Sequence, residues 1–259
     1  MDYGISTVAY PQLLLGAALA RIARLAPLAE IRCDSEHCIS DPRNLRAAQS
    51  AGAAGLRFTV HGPFMRQEIW SANRNSRRAA VADHERFIEL AARIGAEVYV
   101  VHPDYTVKRT SYDPAVVASL HDSFEQLREM QTEFKLRIAI ENMPGVGHSH
   151  FATPELDTRG LPTVVDVGHA NLSGCLPRMI ARRDIVHWHL QDNDGRGNDP
   201  HNAVGRGTVD WPLVLKRVRE TVIERDATVV LEVASDADVL TSLAYLRAAE
   251  QRLPAMPAA

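Results

Sequence analysis

Between residues 187 and 211 the chain reads HWHLQDNDGRGNDPHNAVGRGTVDW. His187 and His189 lie on one side of a short apolar run formed by Ile185, Val186, Trp188 and Leu190. The run gives way to a loop dense in Asp, Asn and Gly that carries Asp199-Pro200-His201. A strand ending in histidine and followed by Asp-x-His has the ligand types of half a metal site. His61, His102, Glu141, Asp166, His169 and Glu232 also stand at or just beyond the ends of apolar runs. A lone histidine there is more often a structural hydrogen-bonder, and a lone buried glutamate can pair with an arginine. Several carboxylates converging on one mouth are different, because they repel and are costly to desolvate without positive charge. The strand ends offer no lysine and few arginines, so a divalent cation is the expected source of that charge. Imidazole with carboxylate is a ligand set suited to zinc, manganese or iron.

These residues need strands to position them. Short β-rich runs alternate with amphipathic ones along the chain. Strands are expected over 3–8, 30–33, 56–60, 98–101, 136–140, 163–167, 185–190 and 228–233. Helices are expected over 13–25, 41–51, 76–94, 113–134, 176–182, 211–225 and 236–252, from apolar residues at helical spacing. Asp41-Pro42 and Asp113-Pro114 are helix starts, with Asp as cap and Pro in the first turn, and Gly95 is a helix stop. Segment 151–160 fits a short helix or a loop. Strands such as VYVV, RIAI and TVVDV are continuous apolar runs, as expected for strands buried on both faces. Eight strand–helix units predict an α/β fold, a parallel sheet closed into a single (β/α)8 barrel over 1–253, with 254–259 a frayed tail. In such a barrel the C-terminal ends of the strands form the active-site face, where the polar exceptions fall.

Composition is compatible with this. Hydrophobic residues are 46% and charged residues 24% of the 259-residue chain, enough apolar material for a sizeable core. The formal charge is −3, from 29 Lys and Arg against 32 Asp and Glu, and no basic block marks a nucleic-acid footprint. No apolar run is long enough to span a membrane, and the N-terminus has no basic signal-peptide segment; a cytoplasmic protein is expected. Cys33, Cys38 and Cys175 form no CxxC pair and are expected to be reduced thiols, with a zinc site at Cys33 and Cys38 the less favoured reading.

The order HGPF (61–64), VVHP (100–103), IENMPG (140–145), DVGHAN (166–171), HLQDNDG (189–195), DPHNAVGRG (199–207) and LEV (231–233), each after a strand, resembles the xylose isomerase-like TIM-barrel superfamily. That group includes sugar-phosphate isomerases and epimerases and the endonuclease IV-type AP endonucleases. The resemblance covers nearly the whole chain and implies a metal site at the C-terminal face. Glu141, Asp166, His189 and Glu232 match the ligand set shared by both branches. His61, His102, His169, Asp199 and His201 match the further ligands with which endonuclease IV-type enzymes hold three zinc ions. The implied cofactor is therefore a divalent metal, zinc or manganese, with one to three ions.

Two chemistries follow from the resemblance. In an isomerase or epimerase of a sugar or sugar phosphate, one metal chelates a hydroxyl and the adjacent carbonyl. Glu141 and Glu232 then exchange the carbon-bound proton as acid and base through an enediolate. His61 and His102 would bind substrate hydroxyls; Arg206 would hold a phosphate or hydroxyl, or equally make a surface ion pair. In the alternative, a multinuclear zinc phosphodiesterase acts on abasic DNA. Phe64 and Met65 stand where those endonucleases insert side chains into the duplex. RCDSEHCISDPRNL, however, replaces their Arg-bearing DNA-contact loop, and the chain has no basic stripe. Small-molecule carbohydrate chemistry is the favoured reading, with nucleic acid the less favoured partner. A barrel that keeps metal for stability alone is a third class. The resemblance also allows a homodimer. His187, one layer deeper than His189, is expected to support it, and Asp192 to fix a ligand imidazole. His148 and His150 are expected on a loop near the mouth, solvated in the favoured reading and closing the site over substrate in the other, and His37, His84 and His121 have no expected chemical role.

Overall fold

A computed structural model describes residues 1–104, 113–144 and 149–253. Eight parallel strands close into a barrel in sequence order: β1 (Gly4–Ser6), β2 (Leu28–Arg32), β3 (Arg57–His61), β4 (Val98–Val101), β5 (Arg137–Glu141), β6 (Thr163–Asp166), β7 (Ile185–Leu190) and β8 (Thr228–Leu231). Outside it stand α1 (Leu15–Ala23), α2 (Pro42–Ala53), α3 (Arg74–Arg93), α4 (Pro114–Phe134), α5 (Val167–Leu172), α6 (Leu176–Ile180), α7 (Trp211–Arg225) and α8 (Asp236–Glu250). The (β/α)8 barrel expected from the alternating pattern is the fold observed. The tail at 254–259 lies outside the described residues.

Side chains alternate along each strand, so every strand feeds two cores. One set packs outward against the helices. The other turns inward, where Val98, Val100, Ala139 and Val164 form a separate apolar cluster inside the barrel. Gly4 is required at that inner layer: a Cβ there would lie 2.8 Å from Leu28 Cδ2 and 3.0 Å from Val230 Cγ2. Above the apolar layer the inward positions turn polar, and the site begins there.

The Asp-Pro caps form as expected. Asp41 accepts from the Arg43 N–H and Asp113 from the Ala115 N–H, each with proline in the first turn. Several boundaries differ from the sequence reading. The strand expected over 3–8 ends at Ser6, because Thr7–Ala9 tighten into a 3-10 turn. β2 begins two residues earlier than expected and includes Glu30 in its interior. β6 stops at Asp166, whose carboxylate accepts from the His169 N–H and so caps α5, a helix the sequence reading did not contain. Segment 151–160 is a loop of turns. Among the described residues no helix separates β5 from β6, so the expected strict alternation lapses there.

Candidate metal centre

Four residues from adjacent strands meet at the C-terminal mouth. Glu141 ends β5, Asp166 ends β6, His189 lies near the end of β7, and Glu232 follows β8. All four are buried, and each offers a ligand-type atom within 4.8 Å of the others. Nδ1 of His189 lies 3.0 Å from Glu141 Oε1 and 2.9 Å from Glu232 Oε2. Asn142 ties β5 to β6: its Oδ1 accepts from the Asp166 N–H at 2.8 Å and its Nδ2 donates to the Asp166 carbonyl at 3.0 Å.

Two further groups flank this set. His61, His102 and Glu141 form one, and His169, Asp199 and His201 the other. Ring orientation is fixed from behind by carbonyls, which can only accept. Nδ1–H of His61 donates to the Gly62 carbonyl at 2.9 Å, that of His169 to the Asn142 carbonyl at 2.8 Å, and that of His201 to the Glu232 carbonyl at 2.7 Å. In the neutral ring each therefore turns an Nε2 lone pair into the mouth, the arrangement that orients histidine ligands in metal proteins. His61 Nε2 faces His102 Nε2 at 3.1 Å, and His169 Nε2 and His201 Nε2 lie 2.8 and 3.0 Å from Asp199 Oδ2. The positions picked from the sequence thus converge as one connected cluster, except Arg206.

Three features fit a divalent cation. Glu141 Oε2 accepts no aligned hydrogen bond, although Nε2 of His102 and of His61 lie 2.9 and 3.3 Å from it, and Asp166 Oδ2 is buried without a donor; both are expensive states for carboxylate oxygens unless a positive charge compensates. Two imidazole nitrogens point at one another beside the first of these oxygens. The donor set is wholly imidazole and carboxylate, suited to zinc or manganese.

The electrostatics of the ion-free protein follow from burial and pairing. Burial alone would raise the Glu141 and Glu232 carboxyls, but the facing imidazoles, His189 first, overcome it. Glu141 is held well below the ordinary carboxylate range and Glu232 at about 2. Asp166 goes the other way: burial, reinforced by Asp199 and Glu141 and opposed by His169, lifts it to about 7. Burial also works against the charged forms of His169, His189 and His201, yet their carboxylate partners win. His201 rises to about 9, and His169 and His189 stand well above the usual imidazole value. Imidazolium thus supplies the balancing charge that an ion would otherwise bring.

The sequence reading missed Glu30. It is fully buried on β2, and its Oε2 receives Nε2–H of His189 at 3.1 Å, Nε2–H of His187 at 3.0 Å and the Thr59 hydroxyl at 3.1 Å. His187 is held at its other nitrogen by the Thr228 hydroxyl at 2.6 Å, matching its expected supporting place below His189. Gln191 was also missed; its amide donates to Asp199 Oδ1 at 2.7 Å and Asp166 Oδ1 at 3.3 Å, joining two groups of the cluster.

Asp192 does not fix a ligand imidazole. Its carboxylate accepts from the Asn193, Gly205 and Val209 N–H groups and from Trp211 Nε1–H, pinning the loop that carries Asp199 and His201. It is directed at backbone donors because the loop folds back on it, through paired hydrogen bonds between Asp192 and Asn202. Arg206 is exposed on that loop. His150 is not solvated: its Nδ1 lies 2.7 Å from buried Asp104, which clamps the segment after β5 to the end of β4. His148 lies outside the described residues. His37 bonds the Leu13 carbonyl, and the three cysteines are free.

A family model described as a xylose isomerase-like TIM barrel matches residues 25–249. The chain belongs to that family. Among relatives of this chain, an uncharacterized protein of Methanocaldococcus jannaschii is 27% identical, over 95% of this chain and 88% of its own. A probable endonuclease 4 of Mycobacterium ulcerans is 26% identical, over 80% of this chain and 84% of its own. Of the solved structures, a D-tagatose 3-epimerase-like protein superposes with a TM-score of 0.86 at 25% identity, over 97% of both chains. This chain is therefore similar both to a protein named as sugar-epimerase-like and to proteins named as endonuclease 4.

Proposed function

We propose that this protein is a divalent-metal-dependent isomerase or epimerase of a sugar or sugar derivative. The observation that carries the reading is the convergence of Glu141, Asp166, His189 and Glu232, with the two glutamates meeting on one edge of the His189 ring. A zinc or manganese ion held by these four would polarise a carbonyl and its neighbouring hydroxyl and so acidify the carbon-bound proton between them. Glu141 and Glu232 are both carboxylates at neutral pH, so either can take that proton as a base. They stand at the end of β5 and just after β8, strands separated round the wall by β6 and β7, so each approaches a bound substrate from its own side. One removes a proton, the other returns one, and the product is the epimer or the aldose–ketose isomer. The fold shared with the D-tagatose 3-epimerase-like protein supports this reading.

A second reading is favoured by the two flanking groups. His61 and His102 on one side, and His169, Asp199 and His201 on the other, supply ligands for additional ions. Relatives named as endonuclease 4 add weight to phosphodiester hydrolysis.

Solvent exchange separates the two. Metal-loaded protein incubated with a panel of ketoses in deuterium oxide is expected to wash deuterium into the carbon beside the carbonyl, and Glu232→Gln to abolish it. Absence of exchange from every ketose, with cleavage of an abasic-site duplex that is lost in His201→Asn, would reverse the assignment.

A further inference from the structure

Arg32 closes β2 beside the metal centre. Glu30, two residues earlier, points into the barrel, where it meets Thr59, His187 and His189. Side chains alternate along a strand, so Arg32 occupies the same inner face one layer nearer the mouth. The register pairs it with His61, and its backbone N–H is tied to Thr7 Oγ1 at 3.1 Å.

Among the described residues the guanidinium there has no anionic partner: its side chain makes no ion pair and no hydrogen bond, and Nε is buried without an acceptor. Its neighbour is Phe64, whose ring centroid lies 5.1 Å from Cζ. That ring stacks on His102 at 4.5 Å with an interplanar angle of 25°. Phe64 is itself held by Asp34, which accepts the Phe64 and Met65 N–H groups at 3.0 and 3.1 Å. An aromatic face orients a guanidinium but leaves its in-plane N–H donors unused. A buried donor without an acceptor is costly. The planar donor fork fits a carboxylate or a phosphate, which can receive two parallel hydrogen bonds. β2 also lies on the wall opposite β6, on the arc running from β8 through β1 to β5. A group held there would be away from the carbon between Glu141 and Glu232 yet within the same mouth.

We infer that Arg32 is the anchor for an anionic group on the substrate, a phosphate or a carboxylate remote from the reacting carbonyl. The preferred substrate is then a ketose phosphate or keto-sugar acid, not a neutral ketose. The inference rests on the sugar-isomerase reading and deepens it by naming the substrate class.

The test measures binding separately from turnover. Calorimetric titration of the metal-loaded protein compares D-ribulose, D-ribulose 5-phosphate and 5-keto-D-gluconate, in wild type, Arg32→Met and Arg32→Lys. Wild type is expected to bind at least one anionic sugar about tenfold or more tighter than the neutral one, roughly the loss of one charge-assisted hydrogen-bonded pair. The ratio should fall to near one in Arg32→Met and recover in part in Arg32→Lys; circular dichroism verifies folding of each variant. Equal binding of neutral and anionic sugars by wild type, no binding of either anion, or a preference that survives in Arg32→Met overturns the inference. An abasic duplex whose binding depends on Arg32 while both anionic sugars fail assigns the residue to nucleic-acid phosphate instead, and also overturns it. Deuterium exchange is read in parallel. An anion preference without exchange leaves Arg32 as an anion anchor and sinks the isomerase reading, whereas exchange without a preference does the reverse.

Discussion

Oε2 of Glu30 lies 3.1 Å from Nε2 of His189, on the edge of the ring away from the nitrogen that faces Glu141 and Glu232. The carboxylate thereby selects which proton the ring keeps: Nε2 holds it, and Nδ1 is left to ligate. Glu30 is in turn steadied by His187 and Thr59. Glu30→Gln keeps the shape but removes the charge. It should lower metal affinity by about 10- to 100-fold, as loss of such an outer partner does elsewhere. Titration with cobalt(II), followed by its visible spectrum, reads both affinity and ligand geometry. Unchanged affinity and spectrum would show that His189 does not depend on Glu30 for its orientation.

Metal binding should release protons. Asp166 is protonated below about pH 7, and His169, His189 and His201 carry protons well above the usual imidazole range in the ion-free protein. A ligand must shed its proton to bind, so apparent affinity rises with pH and weakens as pH falls through 7. Calorimetry at pH 7 in buffers of different ionisation enthalpy should therefore report release of protons per ion bound. A binding enthalpy independent of buffer would refute this.

Removing His201 should empty only the outer part of the cluster. His201 sits at φ 49°, a backbone region that asparagine tolerates better than alanine, so His201→Asn is the gentler replacement. It keeps Glu141, Asp166, His189 and Glu232 intact. Elemental analysis is expected to find no more than one ion fewer per chain than in wild type, with the remaining ion still resistant to dialysis. Loss of all metal in this variant would mean that the groups are not separable.

The barrel was legible because its strands are continuous apolar runs separated by capped helices, a pattern set by burial on both faces. The cluster was legible for a related reason. His61, Glu141, Asp166 and His189 each interrupt or end such a run, and a polar side chain there has nowhere to go but the mouth. Glu30 and Arg32 follow the same alternation on β2, yet they escaped notice because the strand begins at Leu28, directly after Pro27, and its apolar run is too short to set them off. The role of Asp192 was not readable from spacing, since its partners are backbone N–H groups brought back by the loop's own fold. Helix α5 was hidden by its brevity and by Gly168, where the Gln191 side chain occupies the space a Cβ would need.

His84 on α3 should make the fold acid-sensitive independently of metal. It is buried; its Nδ1 lies 2.9 Å from the Tyr99 hydroxyl, and its Nε2 has no partner. A second ring proton would sit at a buried site with no acceptor, so burial pulls the imidazole down from 6.5 to about 4. The neutral ring is the form the fold prefers. Its contribution is complete above the unfolded value of 6.5 and is lost as pH falls through about 4. The loss amounts to roughly 3 kcal/mol, from 1.36 kcal/mol per tenfold change in proton affinity. His84→Gln removes the titration while keeping a polar side chain beside Tyr99. Urea unfolding at pH 7 and pH 4.5 should therefore give a smaller stability difference in the variant than in wild type, whatever the variant's stability at pH 7. An equal difference in both proteins would assign the acid sensitivity to other groups.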